Sequence, residues 1–273
     1  MLCQIDWYSF TIPTITPITG IGVEGLTSAY RAFDTVGFMW LLPDYTDDGW
    51  SINLGRGFYK VRYQHQDTHI SVSWGSVNPH VFVELDGQSC ALLREAGILS
   101  SIIERTREGA TRVDCSVDFE TDLRPKEFAE YVGNERIFAR GYMVSESGET
   151  AYIGARQSTR FARVYRFNPP HPRAGLLRVE AEYKGSAAKA LLDVAKSSEV
   201  VALVTAAHEY FSWTHPLWVN SVPMALKVKL PVRDKAGTGN VRWLIRVAFP
   251  ALLKANREGL IDLPQMLRAV DLG

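Results

Sequence analysis

From Arg112 to Glu120 the chain alternates apolar and polar residues without interruption, with Val113, Cys115, Val117 and Phe119 on one parity and Arg112, Asp114, Ser116, Asp118 and Glu120 on the other. Successive side chains of a β-strand point to opposite faces, so this segment reads as a strand with one face in a core and the other crowded with charge. Leu177 to Lys184 repeats the pattern, setting Leu177, Val179, Ala181 and Tyr183 against Arg178, Glu180, Glu182 and Lys184. A one-residue slip would turn each apolar set to water, so these two segments constrain the register of any sheet that contains them.

Shorter stretches predict strands over 5–12, 58–65, 68–74, 80–86, 137–144, 150–156 and 160–167. Apolar residues at helical spacing predict helices over 24–34, 91–106, 125–134, 185–197 and 241–257, the last kinked by Pro250, with Ser186 and Thr238 as candidate caps. Gly148, Gly154 and Asn168-Pro169-Pro170 mark turns, and 170–175 reads as an exposed loop between strands. The order of elements predicts an α+β fold.

Composition narrows the function classes. A chain of 273 residues, 46% of them hydrophobic, can bury the core of one large domain or two small ones. No run approaches the roughly 18 to 20 apolar residues of a membrane span, and no basic segment followed by an apolar run opens the chain, so a soluble, cytoplasmic protein without a membrane partner is expected. Cys3, Cys90 and Cys115 are too scattered for a disulfide framework or a zinc site. Thirty basic residues balance thirty acidic ones, so any nucleic-acid surface must be local, such as an acidic centre inside a basic rim.

Carboxylates, arginines and a tyrosine recur on the polar parity of the central strands, and phosphodiester cleavage needs those residue types: a nucleophile, a Lewis acid and cationic donors that hold the phosphate. Asp114 and Asp118 share one strand face, Glu180 and Glu182 share another, and Glu84 adds a fifth oxygen donor. Such hard ligands suit Mg²⁺ or Mn²⁺. The competing reading pairs the same acids with Arg112, Arg178 and Lys184 on a solvated sheet face. Tyr165 shares a strand parity with Arg163, and Arg156 precedes that strand. A phenol with a pKa near ~10 needs help to ionise as it attacks, which neighbouring arginines or a metal provide. Phe161 and Phe167 lie on the same parity, so Tyr165 also fits a packing role. The six histidines show no zinc-hydrolase spacing, and Asp234 to Asn240 lacks the Gly-Lys-Ser/Thr ending of a phosphate-binding loop.

In these segments the chain resembles the Rep_trans family of replication initiation factors, found in rolling-circle plasmids and filamentous phages and, more distantly, among relaxases of integrative elements. Four blocks carry the likeness: Thr111 to Asp118, Ala151 to Phe161, Arg163-Val164-Tyr165, and Arg178 to Lys184. Ile5 to Phe10 and Val83 to Gly87 extend it over residues 5 to about 190. The resemblance implies a strongly curved, mainly antiparallel Rep-like nuclease sheet with Tyr165 near its centre as the DNA-cleaving nucleophile. It also implies Asp114 and Glu180 as metal ligands, supported by Asp118, Glu84 and Glu182, with Arg156, Arg163 and Arg178 clamping phosphate. One departure stands out: Arg166 and Phe167 follow the tyrosine where the family has Asp or Asn and then Lys. Arg166 or Arg163 must then replace that lysine, or activity is reduced.

On this reading residues 1–200 form a catalytic nicking and joining domain. Residues 201–273, where Trp213, His215, Pro216, Trp218 and Pro223 break regular patterning and Lys227, Lys229, Arg233, Lys235, Arg242 and Arg246 add positive charge, form a helical accessory region packed on the same unit. The expected function is initiation of rolling-circle replication. The protein would nick and rejoin one strand of origin DNA through a 5′-phosphotyrosine, with host helicase and polymerase as partners and a possible homodimer. A conjugative relaxase and a DNA-binding regulator that keeps the fold without cleaving are the alternatives.

Overall fold

The computed structural model describes residues 1–20, 23–37, 49–54, 58–75, 77–137, 140–145, 148–171, 173–195 and 200–222. By internal contacts the chain divides into Met1–Leu230 and Pro231–Gly273. The predicted helix 241–257, Thr238 and the basic residues from Lys227 to Arg246 lie outside the described residues.

In chain order the described elements are β1 (Leu2–Pro13), α1 (Val23–Thr35), β2 (Trp50–Leu54), β3 (Val61–His65), β4 (Ser71–Trp74), β5 (His80–Leu85), α2 (Gly87–Glu95), α3 (Leu99–Thr106), β6 (Ala110–Phe119), α4 (Pro125–Ala129), β7 (Arg140–Ser145), β8 (Gly148–Ile153), β9 (Arg160–Arg166), β10 (Leu177–Lys184), α5 (Ser186–Ala195), α6 (Val200–Glu209) and α7 (Pro216–Ser221). The strands form one open antiparallel sheet in the order β2-β3-β4-β5-β1-β6-β10-β9-β8-β7. The fold is α+β, as expected. Among the described residues no helix is long and apolar enough to cross a membrane.

The two strictly alternating segments lie side by side at the centre, Val179 opposite Val117 and Ala181 opposite Cys115. Their apolar parity joins Tyr8, Phe10, Val83, Ala162 and Val164 in one continuous core, and α5 and α6 pack on that face. A β-bulge between Ile5 and Trp7 in β1 shifts parity by one residue. It keeps Ile5 in the core, returns Tyr8, Phe10 and Ile12 to it, and leaves both Asp6 and Trp7 off it.

Three departures from the predicted elements have local causes. The helix predicted over 91–106 is two helices, because Gly97 turns left-handed (φ 73°) while Gly97 and Ile98 donate back to Arg94 and Leu93 as a helix C-cap. The strand β2 alternates Trp50, Ile52 and Leu54 with Ser51 and Asn53 over only five residues, and it forms a sheet edge paired with β3. The helix α6 was missed because Val-Val-Ala-Leu-Val-Thr-Ala-Ala is apolar on every side, so it has no stripe to read; it is buried from Leu203 to His208. Trp213 and Trp218, which interrupt regular patterning in the sequence, are buried against Phe128, and Trp213 donates from Nε1 to His208 Nδ1 at 3.1 Å. His208 Nε2 lies 3.0 Å from the Cys115 carbonyl, so the indole fixes the neutral tautomer that donates to it.

Candidate active site

The polar parities of β6, β10 and β9 fall on one face of the sheet, opposite the core. Arg178 lies between Asp118 and Tyr165, Glu180 between Ser116 and Arg163, and Glu182 between Asp114 and Phe161. Two groups of charges result. In the first, Tyr165 Oη donates to Glu180 Oε2 at 2.9 Å and Arg163 pairs with the other Glu180 oxygen. Arg163 also stands 3.9 Å from Asp114, Arg112 donates from Nε to Asp114 at 2.8 Å and reaches Glu182 at 2.8 Å, and Lys184 pairs with Glu182. In the second, Arg178 grips Asp118 bidentately (Nε at 2.6 Å, Nη2 at 2.8 Å) and holds Asp6 with Nη1 at 2.7 Å, while Arg173 reaches Asp118 at 3.1 Å.

The pairing expected of a solvated face is therefore present, but the solvent is not. Asp114, Asp118 and Glu180 are 1%, 3% and 1% exposed. The arginines, Lys184 and Tyr165 roof them over, with side chains of Arg112, Arg163 and Lys184 about a third open to water. Burial pushes the Asp114 carboxyl well up despite the Arg112 hydrogen bond, and the charge of Glu180 adds to the rise. Burial opposes ionisation of Glu180 too, yet the charge and hydrogen bond of Arg163 and the Tyr165 hydroxyl hold it below the ordinary carboxylate range. The negative charge of the pair rests on Glu180. Burial and that same charge drive the Tyr165 phenol far above its usual pKa, with Arg178 and Arg163 pulling the other way. A protonated phenol thus lies against a deprotonated acceptor, an arrangement in which a base can activate a hydroxyl.

Tyr165 and Arg178 also open onto a cleft of about 610 Å³, lined on its far side by Asp6, His69, Asp86 and Gln88 and on the near side by Phe167, His171 and Arg173. Reading the sequence singled out none of these as site residues. Asp6 depends on the bulge in β1, and Asp86 caps α2 by accepting from the Gln88 and Ser89 amides while lying 3.7 Å from His69.

Other expected members are placed elsewhere. Glu84 sits on β5, two strands from β6, and pairs with Arg62 at 3.6 Å. Arg156 is exposed in the turn before β9, where its carbonyl accepts from Lys184 at the end of β10 opposite Arg178. Arg166 does not replace a lysine beside the tyrosine: its guanidinium donates to the carbonyls of Thr121, Leu123 and Gly175. As for the ion, among the described residues no three Asp, Glu, His or Cys side chains converge as ligands. The oxygen chemistry suits Mg²⁺ or Mn²⁺, but guanidinium groups fill the spaces between Asp114, Glu180 and Glu182, so the arrangement does not fit a divalent ion.

No protein-family model matches the sequence, and no curated protein matches it. In structure the chain is similar to a rolling circle replication initiator protein from Geobacillus stearothermophilus, with a TM-score of 0.56 over 83% of this chain and 98% of that one, at 15% sequence identity. At that identity the likeness establishes a shared fold.

Proposed function

We propose that the chain is a rolling-circle replication initiator of the Rep_trans type that nicks and rejoins one DNA strand through Tyr165. The observation that carries this reading is the 2.9 Å hydrogen bond from the Tyr165 hydroxyl to the ionised Glu180, at the mouth of a cleft. The fold shared with a known initiator supports it. In the reaction, Oη bonds to phosphorus, the bond from phosphorus to the 3′ oxygen breaks, and the phenolic proton passes to Glu180. The departing 3′ oxygen takes a proton from solvent, leaving a free 3′ hydroxyl for a host polymerase and a 5′-phosphotyrosine that stores the energy for rejoining. Arg178, facing the same cleft, is positioned to hold the phosphate once its carboxylates yield, and Arg163 keeps Glu180 charged. Origin DNA, a host helicase and a host polymerase are the partners proposed for this role, together with a second copy of the chain.

Incubating the protein with end-labelled single-stranded origin DNA, with and without Mn²⁺, should give an adduct that survives denaturation, and Tyr165→Phe should give none. One observation favours a second reading, a regulator that binds without cleaving: neither residue after Tyr165 offers a free cation, since Arg166 is spent on carbonyls and Phe167 is apolar. A regulator would retard the DNA in a gel without forming an adduct.

A further inference from the structure

Between β9 and β10 the chain folds back beside Tyr165 as a stack of rings. The Phe167 ring meets Tyr165 edge-on at 5.3 Å and 71°, and the His171 imidazole lies flat on Phe167 at 4.0 Å and 9°. The Arg178 guanidinium stands 4.5 Å from the same phenyl ring. Backbone bonds set the stack: His171 N–H donates to Asn168, Ala174 N–H to His171, and Gly175 N–H to Phe167. Arg173 N–H donates to the ring nitrogen Nδ1 at 3.1 Å. The loop is exposed at His171, yet the orientation of its ring is fixed from below, and all of these rings border the cleft.

We infer that His171, backed by Phe167, forms a stacking seat for one of the two nucleobases that flank the phosphate attacked by Tyr165. The inference rests on the nicking role proposed above and adds where the strand is held. A nucleotide bound for in-line attack by Tyr165 must place a base within one residue of its phosphate. Phe167, in ring contact with the nucleophile, lies at that distance. Aromatic faces bind bases of any sequence, and Arg173 and Arg178 at the rim suit the backbone on either side. A cleft of about 610 Å³ falls in the range that takes a nucleotide-sized ligand. Burial and the charges of Arg178 and Arg173 lower the His171 pKa, so the stacking ring stays uncharged at neutral pH. Because the pair is already ordered, little side-chain freedom remains to be lost on binding.

The test uses the full chain with a short oligothymidylate containing photoactivatable 4-thiothymidine, and a circular single-stranded plasmid substrate for adduct formation. The expected result is a cross-link to Phe167 or His171, binding weakened about 5- to 150-fold by His171→Ala, and recovery in His171→Phe. The His171 side chain is exposed, so both variants should melt as the parent does. Unchanged binding in His171→Ala with cross-links elsewhere, while the parent still forms its adduct, overturns the seat and leaves the nicking role standing. Failure of His171→Phe to recover binding points to hydrogen bonding and overturns stacking. If the parent neither binds the oligothymidylate nor forms an adduct, the nicking role itself falls.

Discussion

The two faces of β6, β9 and β10 solve one problem in opposite ways. On the core face His208 is buried neutral, with each ring nitrogen hydrogen-bonded to a neutral group. On the other face four carboxylates are buried and compensated by Arg112, Arg163, Arg173 and Lys184, which are partly open to water, and by buried Arg178. The first arrangement stabilises and does nothing else. The second retains charge and a hydroxyl that can exchange partners, which is what a reactive surface requires, at the risk that removing one member strands another. Stability on the core face should therefore respond to pH, and chemistry on the charged face to individual charges.

The largest expected effect is on the charged face: Tyr165→Phe should abolish the covalent adduct while retaining DNA binding, measured by denaturing gel and gel shift, and a residual adduct would move the nucleophile elsewhere. Glu180→Gln keeps the shape but removes the acceptor for the phenolic proton, and should slow adduct formation by about 10²- to 10⁴-fold in single-turnover assays. Equal rates would make Glu180 a bystander to Tyr165. For stability, Arg178→Met leaves buried Asp118 with Arg173 alone and partly buried Asp6 without its guanidinium, and should cost about 3–5 kcal/mol in urea unfolding.

His208 gives the sharpest contrast. Its native pKa is pushed down to about 3 by burial, whereas unfolding restores the ordinary value near ~6.5. Between those values the unfolded chain binds the extra proton, so stability is full above pH ~6.5 and falls as the pH drops toward 3. By pH 4 the loss is on the order of 3 kcal/mol, and His208→Gln should remove that component of the slope measured by urea titration at several pH values. An unchanged slope would assign acid sensitivity to the charged face alone. The smallest effect is predicted for Arg156→Ala, which should change stability by less than about 0.5 kcal/mol, because its side chain is exposed in a turn.

How far the site could be read beforehand depended on whether each placement was local. Alternation in Arg112–Glu120 and Leu177–Lys184 was enough to assign each side chain of β6 and β10 to a face, and parity put Arg163 and Tyr165 on one face of β9. Glu84 has the same strand parity as a catalytic acid would, but strand order decides its neighbours, and β1 separates β5 from β6. Asp6 and the cleft wall at His69 and Asp86 depend on a bulge and on where α2 begins, and alternation records neither. Arg166 was a reasonable substitute for a missing lysine until the loops after β6 and β9 brought three carbonyls to its guanidinium.

By itself the amino-acid sequence determined which residues of the central strands avoid water and which carry charge, since a period of two is a local consequence of strand geometry. Only the tertiary structure decided which guanidinium meets which carboxylate, that the charged face is roofed by its own cations, and that Tyr165 stands at a cleft with Glu180 as its acceptor. Those outcomes depend on strand order, a bulge and loop closure between segments as far apart in the chain as Asp6 and Arg178, and no local pattern encodes such distances.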